Sequence, residues 1–303
     1  MRANDTDDQD TREFYARPAA MTSLGRHAPL VKDLPDDPGA LAGVLHGLVI
    51  HEHMAAGYGV TLSEADRRSV HVRPAGDLLA EIVARSPRPL DVERAPKARL
   101  PGNCRHFTVL MAAMLRAHGT PARARCGFGG YFGTPMFEDH WVCEYWHSGQ
   151  QRWLLYDAQI DSLQHGWFGI GFDLADVPRD QFLVAGEAWR RIRSGEADPA
   201  NFGISLAKEA GDWWIAGNLM RDGAALQNVE LLPWDCWGAM PEPDDDPIGD
   251  DLAGLFDRLA ELTLAPDDNL ADLRRMYEDE RLRVPATVRN AVLGREEPLW
   301  PSS

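Results

Sequence analysis

No stretch of this sequence comes near eighteen consecutive apolar residues, so no membrane-spanning helix is expected. Cysteine is scarce as well. The four present (Cys104, Cys126, Cys143 and Cys236) are too few in 303 residues for a disulfide framework, and none stands in a C-x-x-C pair that would hold structural zinc. Positive charge is also short: 31 Lys and Arg face 47 Asp and Glu, a net charge of −16. Such a chain repels an extended phosphate backbone, and nucleic acid is not an expected partner. The opening MRANDTDDQDTREF is acidic and has no apolar run, so no secretory signal is expected there. Neither a D-x-D-x-D-G calcium loop nor an H-E-x-x-H pair occurs, and no internal repeat is visible. Together these absences predict a cytoplasmic protein with reduced thiols, no cofactor, no metal and no membrane attachment.

What is present suffices for a core, with 44% hydrophobic residues and ten Trp as large anchors. Residues 1–37 are polar and interrupted by Pro18, Pro29, Pro35 and Pro38, which reads as a flexible tail and an extended lead-in. Helical spacing follows over 39–57, stopped at Gly57, and again in AGDLLAEIVARS, where Leu78, Leu79, Ile82 and Val83 share a face. Pro87 opens a linker that runs to Pro101. From Cys104 the run CRHFTVLMAAMLRAHG predicts a strongly apolar helix closed by Gly119. Three β-like runs come next: PARARCGFGGYF, HWVCEYWHSG and RWLLYDAQID, the last two forming a tight hairpin at Gly149-Gln150. Helices are expected near 181–194 and 203–227, then, after the acidic spacer PEPDDDPIGDD, over 251–263 and 269–283. Helices at both ends of an antiparallel sheet define an α+β class. The expected division is 1–37 as lead-in, 38–240 as the main domain, and 241–303 as spacer and terminal helical segment.

The chemistry-bearing residues lie in the middle. Cys104 follows Pro101-Gly102-Asn103 and opens the apolar helix, where partial positive charge and backbone N–H groups favour a thiolate. His140 heads the second strand-like run, and Asp157 lies seventeen residues on, at the end of the third. Counted from a turn at 149–150, His140 is nine residues back and Asp157 seven forward, so a modest register offset or a bulge brings them side by side. Each has an ordinary explanation alone: a buried thiol, a capped histidine, a strand-end turn residue. Joined, they have the composition of a nucleophile, its base and the carboxylate that orients the base.

The runs Gly102-Asn103-Cys104-Arg105, Leu115-Arg116-Ala117-His118-Gly119-Thr120-Pro121-Ala122-Arg123, Asp139-His140-Trp141 and Trp153-Leu154-Leu155-Tyr156-Asp157 resemble the core of the transglutaminase-like superfamily, over about residues 99–161. The resemblance implies a papain-like Cys-His-Asp core with the nucleophile at the N-terminus of a helix packed on an antiparallel sheet. It assigns Cys104 as nucleophile, His140 as base and Asp157 as orienter, within a catalytic domain spanning 38–240. The implied activity is acyl transfer on a peptide, amide or thioester substrate. Hydrolysis is the first expectation because water needs no second pocket; amide formation with an amine acceptor is the alternative, and a binding or scaffold protein that kept only the fold is the third. Where many relatives carry an acidic residue two places after the cysteine, this chain has His106, which two-residue helical spacing turns away from Cys104.

Asn103, His106, Trp141 and Trp234 are further candidates to border the cleft or support it from behind. Trp234, in LLPWDCWG, reads first as an aromatic wall on the core. His46, His51 and His53 lack metal-ligand spacing and read as core or solvated histidines. The glycines of GFGGYFG lack the lysine and following helix of a phosphate loop, and read as a flexible loop that admits substrate to the cysteine.

Overall fold

The computed structural model describes residues 3–245 and 248–300. The helices are α1 (Ala3–Ala16), α2 (Ala28–Lys32), α3 (Pro38–Leu48), α4 (Glu64–Arg67), α5 (Ala75–Arg85), α6 (Cys104–Ala117), α7 (Ser162–Phe168), α8 (Ala185–Arg193), α9 (Asp212–Ala225), α10 (Asp250–Leu264) and α11 (Pro266–Met276). The strands are β1 (Val49–His51), β2 (Leu100–Gly102), β3 (Ala122–Gly129), β4 (Phe137–His147), β5 (Arg152–Tyr156), β6 (Phe182–Val184), β7 (Phe202–Ile204), β8 (Glu209–Ala210), β9 (Asp235–Cys236), β10 (Thr287–Asn290) and β11 (Arg295–Pro298). This is an α+β protein. Two compact units divide the chain, and the boundary falls inside β3 and β4.

One unit holds Arg12–Ala124 and Trp141–Val177. Its centre is α6, buried at every position from Cys104 to Arg116. A helix buried on all sides needs neighbours on all sides; α2, α3 and α5 pack against it. The lead-in expected to be extended is helical instead. Tyr15, Met21 and Val31 are fully buried, and the Tyr15 ring meets Trp153 edge-on at 5.8 Å. Two of the four prolines that argued against helix start helices here: Pro29 stands in the first turn of α2, and Pro38 follows the N-cap Asp37, whose carboxylate accepts from the Ala40 amide at 2.8 Å. The helix expected over 39–57 stops at Leu48, because Val49–His51 leaves to pair in parallel with Leu100–Gly102.

Much of the linker before β2 is gathered around one side chain. Arg94, 1% exposed, donates through Nη1 to the carbonyls of Pro89 (2.7 Å), Leu90 (3.2 Å) and Val92 (2.7 Å), and through Nη2 to those of Ser86 (3.4 Å) and Arg88 (2.7 Å). Lysine cannot reproduce that fan of donors. Arg94→Ala is expected to destabilise this unit by about 2–4 kcal/mol in chemical denaturation, with Arg94→Lys recovering less than half of the loss.

The other unit holds Arg125–His140, the described residues up to Thr11 and those from Pro178 on. Here α8, α9 and α10 pack together, with α11 on α10. β6 pairs antiparallel with β3, Gly127 opposite Val184, and β7 runs parallel to β4, Phe137 opposite Phe202. The helix expected from 181 is preceded by β6, and the one expected from 203 by β7 and β8; short apolar runs ahead of a helix are claimed by strand edges. Gly127 is not part of a loop. A Cβ there would lie 2.1 Å from the Leu183 carbonyl oxygen, so glycine permits the two strands to meet. The segment from 241 on is no separate body: α10 joins α8 and α9, and β10 pairs with both β9 and β11. Residues 246–247 of the expected spacer, like 1–2 and 301–303, lie outside the described residues.

Candidate active site

Cys104 is the first residue of the fourteen-residue helix α6, 7% exposed and disulfide-free. The strand pair β1–β2 delivers it there. Gly102 faces His51 in the register, and its carbonyl accepts from the Glu52 amide at 2.8 Å. The Ser69 hydroxyl donates to the Pro101 carbonyl at 2.6 Å. A Cβ at Gly102 would come within 3.0 Å of both His106 Cβ and Val49 Cγ1, so glycine sets how closely α6 approaches β1. Asn103 is the N-cap, with extended φ −130° and ψ −177°. Its backbone N–H lies 3.2 Å, and its Oδ1 2.7 Å, from Nδ1 of His106. His106 is fully buried, and burial, reinforced by the neighbouring Arg105, pushes its pKa well below the usual histidine value. The ring is therefore neutral and adds no positive charge to the helix terminus.

Asp157 belongs to the same unit. It is 1% exposed and directly follows β5. Its N–H donates to the Leu174 carbonyl at 3.0 Å, and its Oδ1 accepts from the Gln159 amide at 3.1 Å. The β4–β5 ladder pairs Cys143 with Tyr156 and ends His147 opposite Arg152, with residues 148–151 as the turn and Gln151 at φ 53°. The turn has four residues, not two. Continued one step, this register sets Asp157 across from Val142. Trp141 also lies here, 1% exposed, with its indole N–H lacking a hydrogen-bond partner.

His140 lies in the other unit, 2% exposed, three residues inside β4 and not at its start. Aromatic rings surround its imidazole: Phe132 at 4.9 Å, Tyr131 at 6.1 Å and Phe182 at 6.2 Å, all edge-to-face. Its neighbour Asp139, on the opposite strand face, is anchored to α9, with Oδ2 accepting from Trp214 Nε1 at 2.8 Å. Burial raises the Asp139 pKa, and the Arg221 guanidinium opposes that. Trp214, Asn218 and Arg221 recur at four- and three-residue spacing on α9, one helical face turned to this carboxylate. Sequence reasoning missed this anchor, because alternation says which residues share a face and nothing about what covers it. Trp234 belongs to the same unit, beside the terminal hairpin, where its carbonyl accepts from the Ala291 amide at 3.0 Å.

Among the described residues no group of three or more His, Cys, Asp or Glu is placed to hold a metal ion, and no helix is long and apolar enough to cross a membrane.

Residues 69–158, which contain Cys104, His140 and Asp157, match the family model of the transglutaminase-like superfamily. A protein-glutamine gamma-glutamyltransferase of Pseudomonas aeruginosa is 29% identical over 142 residues, 42% of this chain and 20% of the relative, so the chain spans about a fifth of that protein's length. A solved structure of a candidate cysteine protease from Cytophaga hutchinsonii is 19% identical, with a TM-score of 0.32, over 48% of this chain and 40% of that one.

Proposed function

We propose that this chain is a cysteine-dependent acyl-transfer enzyme in which Cys104 is the nucleophile, His140 the base and Asp157 the orienter. The observation that carries the proposal is a buried, disulfide-free cysteine at the first position of a long helix, inside the segment that matches the transglutaminase-like family model. A thiolate there is stabilised by the helix terminus and gains further from an imidazolium partner. The thiolate adds to an amide, peptide or thioester carbonyl. His140 protonates the leaving group, then takes a proton from the acceptor that releases the acyl group. Water as acceptor gives hydrolysis, the primary reading. The aromatic rings around His140 favour a second reading, because the acceptor must reach that imidazole. An apolar wall there suits an amine with a hydrocarbon chain better than bare water.

Alkylation by iodoacetamide tests the nucleophile. Cys104 is expected to react ahead of the part-exposed Cys236, with Cys126 and Cys143 protected by full burial. His140→Ala should slow the reaction at pH 7 by about tenfold, since an unassisted thiol is only a few per cent ionised there. If Cys104 reacts no faster than Cys236, the scaffold reading replaces the catalytic one. Release of a trapped acyl group by amines as well as water separates transferase from hydrolase.

A further inference from the structure

The backbone N–H of a nucleophilic cysteine supplies one donor to the oxyanion, and a second has to come from elsewhere. Asn103 is 5% exposed, and its carbonyl and Oδ1 are engaged in the first turn of α6. The carbonyl accepts from the amides of His106 (2.9 Å) and Phe107 (3.5 Å); with Nδ1 of His106 protonated, Oδ1 accepts from it at 2.7 Å. Nδ2 is buried and has no partner. Its direction follows from that of the oxygen. Oδ1 is turned to the His106 ring at 2.7 Å, and the amide nitrogen, on the other branch of the same planar carboxamide, is turned away from that ring. A buried donor without an acceptor is destabilising by itself and asks for an explanation. One lying beside the nucleophile has the property an oxyanion site requires: it waits for an oxygen that acquires charge only when the thiolate attacks.

We infer that the side-chain amide of Asn103 is the second oxyanion donor, held in place by His106; this rests on the acyl-transfer reading of Cys104. The Cys104 sulfur forms a bond to the carbonyl carbon, and the carbonyl π pair moves onto oxygen. Nδ2–H of Asn103 and N–H of Cys104 hold that oxygen. The pair then returns, the bond to the leaving group breaks, and the leaving group departs with the proton of the imidazolium.

The test compares two reactions of the same thiol in the full chain. Acylation by 4-nitrophenyl acetate builds an oxyanion, whereas alkylation by iodoacetamide displaces iodide at a saturated carbon and builds none. Asn103→Ser keeps an N-cap oxygen and loses the amide N–H. It is expected to slow the nitrophenolate burst by about 10²–10³-fold and to change the alkylation rate by less than about twofold. Asn103→Asp, with the same shape, should lose at least as much of the burst, because an anion then faces the developing charge. The inference is overturned if Asn103→Ser leaves the burst unchanged, or if burst and alkylation fall together, which marks a residue that acts through the fold. A wild-type burst that survives Cys104→Ala sinks the underlying acyl-transfer reading instead. Those failures are distinguishable.

Discussion

Asp157→Asn is expected to lower turnover by about four orders of magnitude while leaving the fold and the Cys104 thiol in place. Asparagine has the same shape, and its oxygen can still accept the Gln159 amide that Asp157 Oδ1 now accepts at 3.1 Å. Local structure is therefore preserved. Two things are lost. A carboxylate accepts from an imidazole N–H and so fixes the tautomer whose other nitrogen is free to take a proton. An amide can donate instead and stabilise the opposite tautomer. The carboxylate charge also stabilises the imidazolium formed during transfer, and a neutral amide does not. The check is kcat on an activated ester alongside thermal unfolding of the variant. A loss of less than about tenfold with an unchanged melting curve would remove Asp157 from the role of orienter.

How much of this was legible in the sequence depends on the range of the force involved. The helix from Cys104 was legible because its start, its apolar body and its stop at Gly119 are all local. The structure ends α6 at Ala117 and has Gly119 at φ +80°, the left-handed conformation that only glycine adopts freely. The β4–β5 hairpin was legible from alternation, but its turn length was not, and the turn sets which residue opposes Asp157. The helical lead-in was illegible. Its sequence is polar, and what holds it is a few buried side chains, such as Tyr15, whose partners Trp153 and Arg123 lie over a hundred residues away. β1 and β2 were illegible for the same reason. Three residues carry no periodicity, and only the partner strand tells Val49–His51 from the end of a helix.

Buried charge was the least legible feature, and it leads to the second large expected effect. Asp222→Asn should destabilise its unit by about 3–5 kcal/mol. In PARARC the two arginines alternate with alanine along the strand, and both are 2% exposed. Arg123 finds Glu144 at 2.6 Å and stacks over Trp153 at 4.0 Å. Arg125 finds Asp222 in a two-point contact, Nε to Oδ1 at 3.0 Å and Nη2 to Oδ2 at 2.8 Å. Nη2 also donates to the Thr263 carbonyl at 2.9 Å. The Cys126 amide donates to Oδ1 of the same carboxylate at 2.9 Å, so the Arg125–Asp222 pair ties β3, α9 and α10 together. Asparagine leaves a buried guanidinium without its counter-charge and turns an N–H toward an N–H, and neither group can reach water. The double variant Arg125→Met/Asp222→Leu removes the unpaired charge and should recover part of the loss. It should not recover all of it, because the Cys126 amide still lacks its acceptor, a deficit of about 1–3 kcal/mol. Denaturant midpoints measure the size of the effect. Hydrogen exchange at the Cys126 amide locates it: that proton should exchange faster in both variants, and equal protection in wild type and Asp222→Asn would contradict the assignment.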